Sequence, residues 1–433
     1  MSRLLAPLLL IGTMQVEAAP QIEHWTTANG AQVYFVAARE LPMVDIRLVF
    51  DAGSARDGSA SGLAQLSNSM IGEGAAQLDA DAIAEHFARL GSQLDQGCDR
   101  DMAMVTLRSL SDPAKLRPSV AMLTGLLGDP SFPDKALERT RRRMLTALQA
   151  EQQSPEQIAE RTFYQALYGA HPYAASPLGS ADSVKKLSRQ QVRDFFQRYY
   201  VAHNMLIALV GDLDRDQAGK IADQISAALQ AGEPAAALPE VPDPGPGRTI
   251  HVEYPSNQTH IVIGMPVMAR GDADYFSLYT GNHSLGGSGL VSRISDEIRE
   301  KRGLAYSAYS YFMPLRRPGP FIAGLQTRND QAAEALRVLQ QTINDFISDG
   351  PRADEVQASQ QNITGGFPLR LAGNRKIVEN LALIGFYQLP LDYLDTFSRN
   401  IDAVRREQIR DAFRRRLDPQ RMIVVTVGPS AIP

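Results

Sequence analysis

A segment of 23 residues occurs twice in this chain, and the two copies align without insertion or deletion. The first copy runs from Arg189 to Gly211, and the second begins 217 residues later, at Arg406. Nine of the 23 positions are identical, whereas chance at ordinary composition would give roughly one or two. A spacing of 217 residues is far too long for a solenoid repeat. The chain is therefore predicted to contain two copies of one domain.

Length and composition agree with a two-domain globular protein. The chain has 433 residues, which allows about two to three domains, and the repeat favours two. With 44% hydrophobic and 21% charged residues, the composition argues against disorder and against a polytopic membrane protein. The net charge of -4 argues against a nucleic-acid partner, which needs a basic face. Cys98 is the only cysteine, so an intramolecular disulfide and a thiolate metal site are excluded.

Residues 1–20 favour an export signal. The stretch from Leu4 to Met14 is mostly apolar and follows Arg3, and the small residues Ala18 and Ala19 stand where a signal peptidase would cut. The apolar run is too short to span a bilayer. Export would place the protein in the periplasm. The alternative is an apolar arm packed on the first domain of a cytoplasmic protein.

A linker is predicted at residues 230–248. This segment contains five prolines and three glycines, so it cannot continue a helix or occupy a central strand. Its proline content is typical of an extended, semi-rigid spacer. The boundary assigns residues 21–229 to an N-terminal domain and 249–433 to a C-terminal domain.

Strand and helix patterns alternate within each half. Several strands are expected to pair as hairpins while others are separated by helices, which favours a mixed sheet covered by helices over an all-parallel one. The predicted fold class is α+β, with two homologous domains that each contain a mixed, mainly antiparallel sheet. Apolar alternation predicts strands at 30–36, 43–50, 102–110, 205–211, 259–265, 320–327 and 422–428, and helical periodicity predicts helices at 79–90, 135–151, 332–347 and 354–365.

The most distinctive segment of the second half lies between His283 and Ser310. After a glycine-rich turn, residues 288–302 predict a helix that ends at Gly303, before a strand that begins near Ala305. Arg299 would then lie in the last helical turn and Tyr306 at the start of the strand, where the two side chains can converge. A cation and a phenol aimed together could stabilise a developing oxyanion. The alternative is a solvated charge at a helix end beside an ordinary strand aromatic.

Several motifs resemble those of the pitrilysin and mitochondrial-processing-peptidase family of zinc peptidases. The segments that carry this resemblance are LGGSGLVSRISDEIREKRGLAYSAYS, FDAGSARDGSASGLAQL, LYGAHPYAASPLGSADSVKKLS and NLALIGFYQLPLDYLDTFSRNIDAV. The first is similar to the arginine and tyrosine motif of the family. The resemblance covers nearly the whole chain and implies two homologous α/β halves, in agreement with the repeat. It also implies an inverted His-x-x-Glu-His zinc site.

The residues at the positions of that zinc site cannot bind the metal. Active members have Gly-Leu-Ala-His-x-x-Glu-His-Met where this chain has GLAQLSNSM, so Gln65, Asn68 and Ser69 replace the first histidine, the catalytic glutamate and the second histidine. Neutral amides and a hydroxyl are poor zinc ligands, and asparagine cannot act as a general base. The third ligand of the family, a glutamate, aligns with Ala147, and Glu151 lies one turn later. No metal site and no bound cofactor are therefore expected in this chain.

Other histidines show no ligand spacing. Glu85 and His86 look like the end of a zinc motif, but Ala82 occupies the position of its first histidine. His171 belongs to a His-Pro-Tyr segment that resembles a structural motif of the family, and we expect it to serve packing. The others are scattered along the sequence: His24, His203, His251, His260 and His283.

The resemblance implies a role for Arg299 and Tyr306 in a two-chain enzyme. In several members of the family the zinc site and the arginine and tyrosine pair lie on different chains, and this chain is similar to the second kind. We expect a heterodimer with a homologous zinc-binding subunit, which would cleave unfolded peptide, while a homodimer could form in isolation. Two alternatives remain: a structural or peptide-binding scaffold without proteolytic role, and a stand-alone hydrolase, for which no nucleophile or metal cluster is visible.

Overall fold

The computed structural model of the protein describes residues 20–243 and 245–432. Apart from Pro20, the predicted export signal lies outside these residues. None of the helices in the two described ranges is both long and apolar enough to cross a membrane.

Within the described residues, the two halves share most of their order of strands and helices, and the N-terminal half has three additional short strands and one additional helix. The strands are β1 (Glu23–Thr26), β2 (Gln32–Ala37), β3 (Met43–Phe50), β4 (Gly74–Ala75), β5 (Leu78–Asp79), β6 (Gln93–Cys98), β7 (Ala103–Leu110), β8 (Met205–Gly211), β9 (Arg248–Glu253), β10 (Gln258–Met268), β11 (Ala308–Phe312), β12 (Gly319–Arg328) and β13 (Ile423–Gly428). The helices are α1 (Leu63–Ser69), α2 (Ala80–Leu90), α3 (Pro113–Gly128), α4 (Asp134–Glu151), α5 (Pro155–Tyr168), α6 (Ala181–Lys186), α7 (Arg189–Tyr199), α8 (Arg215–Ala227), α9 (Tyr275–Asn282), α10 (Arg293–Ser295), α11 (Ala332–Asp349), α12 (Ala353–Gly366), α13 (Asn374–Phe386), α14 (Tyr393–Asp402) and α15 (Arg406–Arg416). The predicted helices and strands outside the segment 283–310 are present, with ends shifted by a few residues.

Five strands of each main sheet have the same order and directions, which confirms the predicted duplication, and β1 is an additional edge strand of the first sheet. The first has the strand order β1-β2-β8-β3-β7-β6, and the second has the order β9-β13-β10-β12-β11. One pair in each sheet is parallel, β2 with β8 and β9 with β13, and the other pairs are antiparallel. The repeated segment corresponds to α7 with β8 and to α15 with β13. The duplicated residues therefore form the same helix and central strand in both domains.

Each domain covers one face of its sheet with its own helices and the other face with a helix from the opposite half. Helix α13 of the C-terminal half packs on β8 and β3, where Leu381 and Ile384 belong to one apolar cluster with Leu206. Helix α5 of the N-terminal half packs on β13 and β10, where Phe163 and Val425 are buried together. The exchange of α5 and α13 leaves little freedom for the halves to separate without exposing apolar surface.

A buried carboxylate also connects the halves. Asp101, 2% exposed, accepts hydrogen bonds from the hydroxyls of Tyr173 at 2.5 Å and Tyr387 at 2.9 Å, and from the backbone N–H of Arg316 at 2.7 Å. Burial and the neighbouring Asp101 carboxylate both raise the pKa of Tyr387. Donors from both domains therefore bind the buried Asp101 carboxylate. A buried carboxylate without hydrogen bonds would lower the stability of the fold.

The linker lies against both domains. Residues 230–243 and 245–247 form no helix or strand. Its Leu238 carbonyl accepts from Arg317 of the C-terminal domain at 2.9 Å, and its Pro239 carbonyl lies 3.1 Å from Nε2 of His171 in the N-terminal domain. The ring of His171 is buried and Nδ1 accepts from the Tyr173 N–H. His171 therefore packs and holds the linker, as its motif predicts.

Candidate functional site

Arg299 and Tyr306 lie together on the surface of the C-terminal domain. The Arg299 guanidinium carbon is 4.6 Å from the centre of the Tyr306 ring, a cation–π distance. Arg299 Nε also lies 3.4 Å from a Glu300 carboxylate oxygen. Tyr306 is 80% exposed, and its hydroxyl forms no hydrogen bond with the residues that the structure describes. The predicted convergence of the two side chains is present, and the phenol is free to donate.

The helix that carries Arg299 differs from the predicted one. Residues 288–302 were expected to form one continuous helix, but a 3₁₀ turn at Gly289–Val291 comes first and α10 begins only at Arg293, with Ser292 as its N-cap. Arg299 belongs to a π-helical turn, Asp296–Glu300, that continues α10. Gly289 has φ +64°, outside the right-handed helical region, so the helix starts only after it.

Tyr306 lies in the loop between the helix and strand β11, because β11 begins only at Ala308. The predicted start of this strand near Ala305 was wrong. The helical turn ends at Glu300, and the chain reverses at Gly303, which has φ +60°. The N–H of Leu304 bonds back to the carbonyl of Ile298 at 2.8 Å. Thr327 of β12 then donates to the Leu304 carbonyl at 2.5 Å. The backbone on the N-terminal side of Tyr306 is therefore held at Leu304, while the Tyr306 side chain projects into solvent.

The glycine-rich turn before this helix has a packing role. A Cβ on Gly286 would lie 2.3 Å from the Ser310 hydroxyl oxygen and 2.5 Å from the Ser310 nitrogen. Asn282 donates to the Ser310 carbonyl at 2.9 Å and accepts from its hydroxyl at 2.7 Å. Gly286 thus allows the turn to pack against β11. Leu290 and Val291 of the same turn are exposed.

The residues at the zinc-ligand positions lie on α1 and α4. Gln65 Nε2 donates to Ser69 Oγ at 2.9 Å, and both side chains line a cavity of about 420 Å³ together with Ala147. Asn68 is fully buried, and its Nδ2 lies 3.1 Å from the Tyr200 hydroxyl and 3.3 Å from the Met104 carbonyl. The three predicted ligand positions of Gln65, Ser69 and Ala147 therefore converge on one cavity, while Asn68 is bonded within the core.

These residues do not fit a zinc ion. Gln65, Asn68 and Ser69 offer only neutral amide or hydroxyl oxygens, which are poor zinc ligands, and Ala147 has no ligand atom. Within the described ranges, no three His, Cys, Asp or Glu side chains are grouped so that they could hold a metal. Glu151 instead pairs with Arg161 at 3.2 Å, and Glu85 pairs with Arg89 at 3.4 Å.

Asp57 holds the start of α1, a role that the sequence patterns did not indicate. Its two carboxylate oxygens accept from the backbone N–H groups of Gly62 and Ala64, each at 2.7 Å. Burial raises the pKa of Asp57 to about 7, although the two N–H groups favour the ionised form. An aspartate shortly before an apolar helix is the only local signal for this cap.

Known proteins share both halves of this chain. The family model described as insulinase, peptidase family M16, matches residues 33–180, and the model described as peptidase M16 inactive domain matches residues 186–363. The solved structure of the peptidase M16 inactive domain from Pseudomonas fluorescens is 39% identical, covers 95% of this chain and 98% of its own, and has a TM-score of 0.92. The chain belongs to peptidase family M16. The family resemblance predicted from the sequence is confirmed.

Relatives within the family differ in how they are described. A protein of Helicobacter pylori described as the non-peptidase homolog YmxG is 25% identical over 420 residues, which is 95% of both chains. An uncharacterized zinc protease of Streptomyces coelicolor is 29% identical over 218 residues, 48% of this chain and 47% of that protein. The chain thus spans about half the length of that relative. The descriptions of the matched inactive domain and of the Helicobacter relative, with the loss of ligands on α1, identify this protein as a non-catalytic member of the M16 family.

Proposed function

We propose that this protein is the non-catalytic subunit of a heterodimeric zinc metalloendopeptidase. Its partner is a homologous M16 subunit with an intact His-x-x-Glu-His motif, and Arg299 and Tyr306 complete the partner's active site. The observation that carries the proposal is the Arg299–Tyr306 pair, with its free phenol, in a chain that has lost its own metal ligands.

The proposal gives Arg299 and Tyr306 distinct tasks. Tyr306 donates its O–H to the carbonyl oxygen of the peptide bond as negative charge develops there. Arg299 stacks on the ring, holds its orientation and adds positive potential near that oxygen. Loss of one such donor typically costs about 10²–10³ in rate. The partner supplies the metal-activated water.

The substrate is an unfolded peptide that adds a strand to a sheet edge. Strand β11 is an edge strand, and it begins two residues after Tyr306. Backbone hydrogen bonds along such an edge bind peptides with little dependence on sequence. A peptide paired with β11 would pass close to the phenol.

Reconstitution tests the proposal. The protein and a candidate M16 partner with the intact motif are purified separately, and peptidase activity is measured for each alone and for the mixture. We expect activity in the mixture only, and no stoichiometric zinc in this chain by elemental analysis. An assembly whose activity is unchanged when both Arg299→Ala and Tyr306→Phe are introduced would instead support a structural or peptide-binding scaffold.

The compartment follows from the N-terminal segment. We propose that the apolar run from Leu4 to Met14 directs export to the periplasm. The test is the N-terminal sequence and mass of the protein recovered from fractionated cells. An intact Met1 in the cytoplasmic fraction would contradict it.

A further inference from the structure

The cavity between α1 and α4 has no task in the proposed function. Its volume of about 420 Å³ is within the usual range of pockets that hold small ligands. Its walls combine the apolar side chains of Ile71, Met144 and Leu178 with a small number of polar groups. Such a combination is typical of ligand sites.

Charged side chains lie on one wall of this cavity, where Arg143 and Glu73 are lining residues and Arg139 is not. Arg143 lines it and reaches a carboxylate oxygen of Glu73 at 2.7 Å, and Arg139 pairs with the second oxygen of the same carboxylate. One carboxylate is thus shared by two guanidinium groups. Ala147, one turn after Arg143 on α4, supplies no compensating charge where the family has a glutamate.

Two hydroxyl groups add hydrogen-bond donors to the same walls. Thr140 is 2% exposed, and its oxygen accepts from Arg143 Nη2 at 2.9 Å. Ser69 accepts from Gln65 Nε2 at 2.9 Å. Neither hydroxyl donates its own proton to a group in the described residues. The Arg143 guanidinium and these two hydroxyls form a cluster of donors whose negative partner is Glu73, which Arg143 shares with Arg139.

We propose that this cavity binds a carboxylate group of a peptide, with Arg143 as the charged anchor and Ser69 and Thr140 as neutral donors. Arginine recognises carboxylates through two parallel N–H groups. Arg139 can remain paired with Glu73 when the Arg143 side chain turns to the ligand. The assignment of the carboxylate to a peptide rests on the proposed function. Both the C-terminus of a peptide and the side chain of an acidic residue present this chemistry.

Three N-acetylated alanine pentapeptides distinguish the sources. One has a free C-terminal carboxylate, the second has an amidated C-terminus, and the third is amidated with one glutamate in place of an alanine. Binding to the full-length protein without partner is measured by isothermal titration calorimetry. We expect the peptide with the free C-terminus or the peptide with the glutamate to bind at least about tenfold more tightly than the amidated alanine peptide. A difference of this size corresponds to one charge-assisted hydrogen bond.

Variants locate the binding in the cavity. Arg143→Gln is expected to weaken carboxylate binding by about tenfold or more. Ala147→Glu is expected to do the same, because it places a competing carboxylate one turn from Arg143. Arg142→Gln is the matched control, since Arg142 is the neighbouring arginine of α4, is exposed and does not line the cavity. Circular dichroism checks that each variant is folded.

The inference is overturned if none of the peptides binds, if the amidated peptide binds as tightly as the others, or if Arg143→Gln and Arg142→Gln behave alike. Because binding is measured on this protein alone, failure of reconstituted peptidase activity would leave the result intact. Conversely, active mixtures with no carboxylate dependence would refute this inference and retain the proposed function.

Discussion

Gly385 tests the packing of the exchanged helix α13 on the N-terminal sheet. A Cβ at this position would lie 2.0 Å from Leu206 Cδ1 and 2.6 Å from a ring carbon of Tyr34. Both neighbours are buried in the sheet, so little relaxation is available. Overpacking of this kind costs about 1–3 kcal/mol, and these contacts favour the upper end. Alanine regains about 1 kcal/mol of helix propensity, which leaves Gly385→Ala less stable by about 2 kcal/mol.

Gly125→Ala is the matched control. Gly125 lies within α3, is exposed, and has no atom within 4 Å of an added Cβ. The same substitution there is expected to stabilise by about 0.5–1 kcal/mol. Urea unfolding followed by circular dichroism would measure both variants. Opposite signs are expected, and a Gly385→Ala protein as stable as Gly125→Ala would refute the docking of α13 on this sheet.

Two further perturbations test the core and its charges. Burial raises the pKa of Asp57 to about 7, so the folded state favours the protonated carboxyl group. The stability that this group contributes is therefore fully present below about pH 4, the pKa of an unfolded aspartate. It is lost as the pH rises to about 7. Denaturant unfolding from pH 4 to 7 should show this decline in the wild type and a smaller one in Asp57→Asn; equal slopes would contradict it. Tyr387→Phe removes a donor to the buried Asp101 and should lower the free energy of unfolding by about 1.5–3 kcal/mol. Tyr199→Phe is its control, because the Tyr199 hydroxyl bonds to no described residue, and equal losses in the two variants would count against the Asp101 contacts.

The sequence was sufficient to predict the duplicated sheets. Alternation along strands and apolar spacing along helices are local patterns, and the repeat showed that they occur twice. The exchange of α5 and α13 could not be predicted in this way, because their apolar faces look the same whichever sheet they cover. That choice depends on contacts between residues far apart in the sequence.

The local geometry around Arg299 and Tyr306 was predicted only in part. Gly303 marks a turn just after the helix, which ends at Glu300 and not at residue 302, and the alternating residues after it suggested a strand that begins three residues too early. The hydrogen bond from Thr327 to Leu304 fixes this segment as a connection, and that contact crosses to another strand. Arg143 lies in none of the motifs, and Asp57 lies in a family-like segment that did not indicate its role, since the surroundings of both residues are set by tertiary packing.

Turnover of the reconstituted assembly with Tyr306→Phe tests the central claim most directly. The phenol is exposed and unbonded within the described residues, so its removal should leave the fold and the assembly affinity unchanged. We expect kcat to fall by about 10²–10³-fold with little change in KM, because the hydroxyl stabilises the negative charge that develops on the carbonyl oxygen in the transition state. Tyr199→Phe should keep full activity. An unchanged kcat for Tyr306→Phe in an intact assembly would contradict the assignment of this protein as the subunit that completes the active site.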